Sequence, residues 1–471
     1  MKFRRFSSAL GTSHSSLLSS LALGSIGVAI FCGYWFWFRA PSTKAKLPPL
    51  PQDGSIQVYF NHERSSEFTE PYRRKTRQGI DLAAKLIVAI DSAQSQIDVA
   101  VQEFQLPNIA QALVAKSQAG IKVRVILEHN YSRPLSELTA AEIDGLTARE
   151  RERYQQFQKL VDIDGNGSLT QDEINQRDAL VILRNAKIPI LDDTADGSKG
   201  SGLMHHKFML VDRHQIIVTS ANWTMSDIYG DFSHPDSEGN QNNLVQIDSG
   251  ELAAAFATEF NLMWGDGTTG SQISQFKARK PARPAIEVLV GKTRVLVQFS
   301  PTSKQQAWED SSNGSIGKLL GTSQQQVDLA LFVFSEHALG NILQAQSQRG
   351  VKVRGIIDRQ FAYRDYSSAL PLMGVDANLC QTAGATNLPL AIGVPTLPTG
   401  DLLHHKFGII DRRTVITGSH NWSNAANYRN DETLLVIQDN LIVAAHFDRE
   451  FDRLYQRVVI GIPARLKRKN C

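Results

Sequence analysis

The chain has 471 residues, 42% of them hydrophobic and 21% charged, a balance that fits a globular protein of two or three domains and excludes a disordered one. Its formal net charge of +3 is too small to indicate nucleic-acid binding by itself. The three cysteines, Cys32, Cys380 and Cys471, are far apart and odd in number, so they predict neither a disulfide framework nor a zinc site.

The first 53 residues combine an apolar run with a proline-rich linker. No charged residue occurs from 17 to 38, and a helix of this length, rising about 1.5 Å per residue, would cross a bilayer core. The run ends in "YWFWF" at 34–38, an aromatic cluster typical of a membrane–water interface. We therefore expect residues 1–53 to form a transmembrane anchor and a linker. Cations on both sides leave its orientation open, and cleavage of the segment also stays open.

Beyond the linker the chain repeats a strand–helix–strand pattern. "QIDVAVQEF" at 96 recurs as "QVDLALFVF" at 326, and "IAQALVAKSQAGIKVRVILEHN" at 109 recurs as "LGNILQAQSQRGVKVRGIIDRQ" at 339. The longer segments each predict a helix that ends at Gly120 or Gly350 and a strand that follows it. Strands separated by helices predict parallel sheets covered by helices. We expect two lobes, residues 54–284 and residues 285–471, the second of which ends in a basic tail.

A surplus of about 31 residues in the first half contains "DIDGNGSLTQDE", residues 162–173. The segment resembles an EF-hand calcium loop, with Gly167 at the sharp turn. The six positions that supply ligands in such a loop are occupied by Asp162, Asp164, Asn166, Ser168, Thr170 and Glu173. We expect an insertion at about 138–176 that binds Ca²⁺ in a structural or regulatory role. A single loop with three carboxylates is expected to bind weakly, which suits a calcium-rich compartment.

The second repeated feature is His-x-Lys followed, after four residues, by Asp. "MHHKFMLVDRHQIIVTSANWT" at 204 recurs as "LHHKFGIIDRRTVITGSHNWS" at 403. His and Lys two positions apart on a strand point to the same face, so that each copy presents a proton-transfer group or nucleophile beside a fixed cation. The candidate site residues from these two copies are His205, Lys207, Asp212, Asn222, His404, Lys406, Asp411 and Asn421.

These paired motifs resemble those of the phospholipase D superfamily over residues 54–460, apart from the insertion. The resemblance implies two pseudo-symmetric α/β/α lobes with one active site where the motifs meet. It also implies a phosphohistidine intermediate, with His205 as nucleophile and His404 as general acid, and no metal in the catalytic step.

The chemistry agrees with the charge of a phosphodiester, which repels nucleophiles. Lys207, Lys406 and the asparagines Asn222 and Asn421 would surround the non-bridging oxygens and offset the charge of the transition state. A neutral imidazole would attack phosphorus, and a protonated one would give its proton to the leaving oxygen. We include Asp212 and Asp411 in a structural or charge-balancing role.

The two copies differ downstream. "NDETLLVI" at 430 carries Glu432, where related enzymes often place a carboxylate that orients a catalytic histidine, whereas "NQNNLVQI" at 240 carries Asn242. An amide orients an imidazole but does not stabilise an imidazolium by charge. We therefore expect the two histidines to be unequal, with Glu432 part of the site.

The expected function is hydrolysis of a membrane phospholipid, by a monomer because one chain supplies both motifs. An endonuclease of the same superfamily stays open, since "YRRKTR" at 72 and "RLKRKN" at 465 could follow a phosphate backbone. A phosphatidyltransferase also stays open, because any well-placed hydroxyl could replace water in the second step. The anchor and the calcium loop together favour a membrane-bound enzyme that faces outside the cytoplasm, in the periplasmic or extracellular space, and a secreted form stays open.

Overall fold

The computed structural model describes residues 46–200, 202–268, 273–375 and 390–463. The expected apolar span, the three cysteines and the basic tail at 465 lie outside the described residues. Among the helices of the described ranges, none combines the length and the apolar character that crossing a bilayer requires. The fold below belongs to the compact unit Pro48–Cys471.

Lobe 1, residues 54–284, is built on a mixed sheet. Its strands are β1 (Ile56–Phe60), β2 (Glu67–Thr69), β3 (Thr76–Gln78), β4 (Gln96–Val101), β5 (Lys122–Leu127), β6 (Ile190–Asp192), β7 (Lys207–Val211), β8 (Gln215–Thr219) and β9 (Asn243–Asp248). The main sheet has the order β1-β9-β8-β7-β4-β5-β6, and β2 pairs with β3 in a separate hairpin. The helices are α1 (Leu82–Ser92), α2 (Pro107–Gln118), α3 (Ala140–Asp144), α4 (Ala148–Val161), α5 (Gln171–Arg177), α6 (Ala179–Asn185), α7 (Met225–Ile228) and α8 (Gly250–Trp264).

Lobe 2, described over residues 285–375 and 390–463, follows the same plan. Its strands are β10 (Ile286–Val290), β11 (Thr293–Ser300), β12 (Gln326–Leu331), β13 (Lys352–Ile357), β14 (Ala391–Pro395), β15 (Lys406–Ile410), β16 (Thr414–Gly418), β17 (Glu432–Gln438) and β18 (Val458–Ile460). They form one sheet in the order β10-β11-β17-β16-β15-β12-β13-β14-β18. The helices are α9 (Ser312–Gly321), α10 (His337–Gln348), α11 (Arg359–Ala362), α12 (Ala369–Leu372), α13 (Asn424–Tyr428) and α14 (Leu441–Tyr455).

The expectation of parallel sheets is correct for only part of each lobe. β4, β5 and β6 are parallel, as are β12, β13 and β14, but the remaining main-sheet pairings are antiparallel. For the pairs β7–β8 and β15–β16 the cause lies in the turn after each His-Lys strand. Asp212 and Arg213, with φ of +52° and +54°, connect β7 to β8 through three residues, too short for the crossover that parallel neighbours need.

Among the described residues, three apolar cores hold the fold together. One core fills the space between the lobes and contains side chains of both sheets and of α8 and α14, among them Phe60, Phe208, Phe407 and Phe447. The other two pack α1, α2 and α6 on the outer face of the first sheet, and α9, α10 and α12 on the outer face of the second. The carboxyl ends of β4 and β12 are thereby held at the junction between the lobes.

The insertion is a helix–loop–helix followed by a separate helix. α4 and α5 flank residues 162–170, and Asp178 ends α5 and begins α6 by accepting from the backbone amides of Leu180 and Val181. The segment after the loop is therefore two helices. α6 belongs to the lobe itself, because its buried face packs in the outer core with α2.

Candidate active site

The two His-Lys motifs meet at the junction between the lobes. The backbone amide of His205 donates to Asp431 O at 2.9 Å, and that of His404 donates to Gln241 O at 3.1 Å. The strands begin at Lys207 and Lys406, so His205 and His404 lie just before the strand ends, each separated from its lysine by one further histidine. The backbone of each motif is thus bonded to the other lobe.

Each imidazole is also held by a side chain from the opposite lobe. Nδ1 of His205 lies 2.7 Å from Oε2 of Glu432, and Nδ1 of His404 lies 3.1 Å from Oδ1 of Asn242. An ionised carboxylate and an amide oxygen only accept, so both Nδ1 atoms carry the proton. The other ring nitrogen, Nε2, is therefore the one that can attack phosphorus or, once protonated, give up a proton.

A carboxylate near His404 was not predicted. Oδ1 of Asp227 lies 3.4 Å from Nδ1 of His404, and Asp227 also accepts from the backbone amide of Asn222 at 2.8 Å. The second histidine thus has a charged neighbour besides the amide of Asn242. The repeat gave no signal for this residue, because the aligned position in the second copy is Ala426.

Hydroxyl groups complete both contacts. Ser419 donates to Oε2 of Glu432 at 2.7 Å, and Ser220 donates to Oδ1 of Asn242, also at 2.7 Å. Each serine follows the strand next to the His-Lys strand, and its Oγ in turn accepts a backbone amide at 3.0 Å. The orienting side chains are themselves fixed by these bonds, which limits rotation of the imidazoles.

Both lysines are buried beside the imidazoles. Nζ of Lys207 donates to His205 O at 3.0 Å and to Oε1 of Gln102 at 3.1 Å. Nζ of Lys406 donates to His404 O at 2.6 Å and lies 5.0 Å from the centre of the Phe332 ring. Burial lowers the pKa of Lys207 to about 8 and lowers that of Lys406 well below its usual value. An anion placed between the two ammonium groups would restore their protonation.

The imidazoles are held in their neutral form. Burial, followed by the two lysine charges, lowers the pKa of His205 and of His404 well below the ordinary histidine value. Burial also raises the pKa of Glu432. A neutral imidazole keeps the lone pair that a nucleophile needs, so the site without substrate is set for attack.

The two asparagines of the motifs lie in the turns that follow β8 and β16. Oδ1 of Asn222 and Oδ1 of Asn421 are buried without a hydrogen-bond partner in the structure. Unpartnered amide groups of this kind are available to a ligand. The contacts to phosphate oxygens expected from the sequence would come from the Nδ2 atoms, because an amide Oδ1 only accepts.

Asp212 and Asp411, which the sequence analysis included in a structural or charge-balancing role, do not join the histidines and lysines. They follow the far ends of β7 and β15, in turns with φ of +52° and +49°. Asp212 accepts from the backbone amides of residues 94–96, and Asp411 accepts from those of residues 324–326. Both carboxylates therefore fix the start of a neighbouring strand.

The second histidine of each motif links the lobes. His206 contacts Oγ1 of Thr433 at 2.8 Å and Oε1 of Glu259 at 3.3 Å. His405 contacts Oδ1 of Asn243 at 3.3 Å and Oε1 of Glu450 at 3.0 Å. Both imidazoles are fully buried, so the repeated "HHK" combines one histidine of the site with one of the interface.

Residues 162–173, the segment that resembles an EF-hand loop, bring their carboxylates together. Ligand oxygens of Asp162, Asp164 and Glu173 lie within 4.8 Å of one another. Oδ1 of Asp162 accepts from the amide of Gly165 at 2.8 Å, and Oε2 of Glu173 accepts from the amide of Thr170 at 2.9 Å. Hydrogen bonds from the amide and the hydroxyl of Thr170, and from the amide of Ile163, lower the pKa of Glu173 to about 2. The donor set is one that Ca²⁺ prefers, with Asn166, Ser168 and Thr170 available at the intermediate positions.

Paired His-Lys motifs on two matched lobes, with each imidazole oriented from across the interface, define the phospholipase D superfamily of phosphodiesterases. The chain belongs to the family described as "Cardiolipin synthase, PLD-like domain", which matches residues 86–264 and 316–455, more than half of the chain.

Curated relatives match a smaller part. Human "Mitochondrial cardiolipin hydrolase" is 32% identical over 148 residues, which are 31% of this chain and 52% of that protein. "Phospholipase D" of Rickettsia typhi is 26% identical over 134 residues, 28% of this chain and 57% of that protein. The chain thus spans about half the length of these relatives. The crystal structure of phosphatidylserine synthase from Haemophilus influenzae Rd KW20 has the same fold, with a TM-score of 0.56 at 13% identity, over 89% of this chain and 93% of that one.

Proposed function

We propose that the protein is a phospholipase D-type enzyme that hydrolyses a phospholipid phosphodiester through a phosphohistidine intermediate. The observation that carries the proposal is the pair of imidazoles held in trans, His205 by Glu432 and His404 by Asn242 and Asp227. Relatives named cardiolipin hydrolase and phospholipase D support a phospholipid substrate over a nucleic acid.

In the first step Nε2 of His205 attacks phosphorus, and the bond from phosphorus to the leaving alcohol breaks. The bound phosphodiester anion offsets the lysine charges and so favours protonation of His404 at Nε2, and His404 then gives this proton to the leaving oxygen. Lys207 and Lys406 offset the charge that develops on the non-bridging oxygens, together with Asn222 and Asn421. Glu432 stabilises the positive charge that His205 acquires when it becomes phosphorylated.

In the second step the roles of the acid and the base are reversed. His404, now neutral, takes a proton from water, and the oxygen of that water attacks phosphorus. The bond to Nε2 of His205 breaks, which releases the phosphorylated product and restores the starting state. An alcohol that replaced water would make the enzyme a transferase.

The test is to offer the purified full chain phospholipid vesicles and, separately, single-stranded DNA. We expect release of head group and phosphatidic acid without DNA cleavage. His205→Ala and His404→Ala should each lose activity, while His214→Ala, at an exposed position, should keep it. DNA cleavage without lipid cleavage would replace this proposal by the endonuclease, and transfer to an added alcohol without hydrolysis would replace it by the transferase.

We also propose that residues 162–173 bind Ca²⁺ through the loop carboxylates. The support is the EF-hand spacing together with the gathered oxygens of Asp162, Asp164 and Glu173. Placement of the enzyme at a membrane, on the side away from the cytoplasm, stays a proposal that rests on residues 1–53 and on this loop.

Titration of the chain with Ca²⁺ by calorimetry tests the loop. Glu173→Gln should abolish the binding, since Glu173 supplies the ligand expected to bind through both of its oxygens. Glu150→Gln is the matched control, because Glu150 completes the same kind of helix cap with Thr147 but lies outside the loop. Equal binding by the two variants would show that the loop holds no ion.

A further inference from the structure

The lobes differ at one pair of positions that the internal repeat makes equivalent. After β4 the chain continues with Gln102, and after β12 it continues with Phe332. Two residues further on, Phe104 and Phe334 are the same in both lobes, and each is buried edge-on against a tryptophan. The repeat is therefore preserved where the side chain belongs to the core and broken where it faces the site.

Phe332 lies directly against His404. Its ring centre is 4.8 Å from that of His404, with an angle of 68° between the planes. Phe361 packs edge-on against Phe332 at 4.8 Å. Both rings are partly exposed, unlike Phe334, which is 1% exposed. Phe332 and Phe361, the aromatic wall, thus present apolar surface next to an imidazole of the site.

The aromatic wall is fixed in place by a carboxylate at the start of α11. Asp358 accepts from the amide of Gln360 at 2.8 Å, which caps the helix that carries Phe361. Its other oxygen accepts from the amide of Leu403 at 2.8 Å, immediately before His404. The wall and the histidine are therefore attached to the same side chain.

The equivalent surface of lobe 1 is polar. Gln102, the counterpart of Phe332, has no aromatic ring, and its side-chain oxygen accepts a hydrogen bond from Lys207. Tyr131, the counterpart of Phe361, is covered by the guanidinium of Arg153, which lies 4.6 Å from the centre of the ring. Arg153 pairs with Glu103 at 2.5 Å. An aromatic wall beside His404 and an ion pair on the side of Lys207 make the two halves of the site chemically unequal.

We propose that Phe332 and Phe361 form an alcohol subsite that selects apolar alcohols, an inference that rests on the proposed function. When His404 gives its proton to the leaving oxygen, the leaving alcohol lies on its side of phosphorus, against the aromatic wall. The acceptor of the second step enters at the same place, since His404 takes its proton. An apolar alcohol gains there from burial of its methylene groups, whereas water gains nothing.

Short-chain phosphatidylethanol, phosphatidylbutanol and phosphatidylhexanol, kept below their aggregation limits, test the subsite with leaving groups of similar acidity. For the full chain we expect kcat/KM to rise by roughly tenfold or more from the ethyl to the hexyl ester, part of what full burial of the added methylenes would give. Phe361→Gln should flatten this rise. Tyr131→Gln, the matched change in lobe 1, should keep the wild-type slope.

A second measurement follows the acceptor. With added butanol or hexanol, the ratio of transfer to hydrolysis should increase with chain length in the wild type, and less so in Phe361→Gln. Equal kcat/KM across the three esters, or the same slope in Phe361→Gln, would overturn the subsite and leave the proposed function standing. Failure to cleave any of the esters, with bis(p-nitrophenyl) phosphate still hydrolysed, would instead remove the phospholipid substrate and the subsite with it.

Discussion

Each of the two imidazoles in the site is held by side chains of the other lobe, but the partners differ. His205 has a carboxylate at 2.7 Å, whereas His404 has an amide at 3.1 Å and a carboxylate at 3.4 Å. A charge at hydrogen-bond distance stabilises an imidazolium more than one farther away. The inequality expected from Glu432 and Asn242 is therefore present in the geometry, although Asp227 reduces it.

The side chains that orient the histidines can be compared by mutation. We expect Glu432→Gln to lower kcat by roughly 10²-fold, since it removes the charge next to His205 while keeping the shape. Asp227→Asn should cost less, and Asn242→Ala the least, because each leaves His404 one of its two partners. Steady-state kinetics of the three variants check this order. Equal, small effects would remove the assignment.

The charge of Lys207 should influence how kcat/KM depends on pH. The positive charge of Lys207 lowers the pKa of His205, so that Lys207→Met should raise this pKa towards its ordinary value. The acidic limb of the profile of kcat/KM, where the nucleophile becomes protonated, should then move to higher pH. Lys207→Arg keeps the charge and should leave the limb where it is in the wild type. An unmoved limb in Lys207→Met would show that burial alone sets this pKa.

At the scale of elements, the strand that precedes the motif serine, β8 in lobe 1 and β16 in lobe 2, ends in a different residue in each lobe. In lobe 1 the strand ends with Thr219, whose hydroxyl donates to Asn243 O at 2.8 Å and accepts from the amide of Ala221 at 2.9 Å. In lobe 2 it ends with Gly418, which has a φ of +124°. A Cβ on Gly418 would lie 2.1 Å from Thr433 O, so this strand end admits only glycine.

Substitution at this strand end should lower the stability of the protein. Gly418→Ala should lower the free energy of unfolding by about 2 kcal/mol or more, because the clash is with backbone next to Glu432. Gly321→Ala is the control, since a Cβ there meets nothing within 4 Å at the end of α9. Urea unfolding compares the two variants. A Gly418→Ala protein as stable as the control would show that the strand end can shift.

The elements of the repeat were predictable from the sequence, and their pairing was not. Apolar runs and the glycines at Gly120 and Gly350, with φ of +87° and +92°, mark the strands and helices because these are local features. The antiparallel pairs β7–β8 and β15–β16 depend on the short turns after β7 and β15. Those turns have no glycine, and their positive φ angles at Asp212 and Asp411 left no sign in the residue pattern.

The site was predictable to the extent that it repeats. His205, Lys207, His404 and Lys406 come together as two copies of one motif. The partners across the interface depend on how the lobes pack, which no local pattern encodes, and Asp227 belongs to a helix of only four residues. Phe332 was hidden for a related reason, since it stands in an apolar run that reads as a core strand.

At the scale of the whole molecule, the two lobes behave as one unit because polar bonds accompany the shared core. His206 and His405 each reach across the junction, and each is fully buried with a carboxylate from a helix of its own lobe. The buried ring nitrogens of His206 and His405 find all their hydrogen-bond partners only when the two lobes are packed together. Loss of one such link should therefore weaken the junction without altering either sheet.

The contact that His206 makes across the junction also makes the stability of the protein depend on pH. Burial lowers the pKa of His206 to about 4, while in the unfolded chain it has the ordinary value near 6.5. Between these values the unfolded state binds a proton that the folded state does not, so the contribution of His206 is present above about pH 6.5 and is lost as the pH falls towards 4. We expect His206→Ala to lower the free energy of unfolding at pH 7.5 by about 2 kcal/mol or more, since it leaves Glu259 and Thr433 without this partner.

The destabilisation caused by His206→Ala should decrease as the pH falls, because the wild type loses stability when His206 of its unfolded state takes up a proton and the variant does not. The difference between the two proteins should fall by up to about 3 kcal/mol from pH 7 to pH 4. Urea unfolding of both proteins across this range measures it, with His214→Ala, at an exposed position, as the control with a constant difference near zero. A difference for His206→Ala that does not change with pH would mean that His206 is already protonated in the folded protein, paired with the carboxylate of Glu259. The junction would then be held by an ion pair in place of a neutral hydrogen bond, and mutation of Glu259 to Gln would have to reproduce the loss.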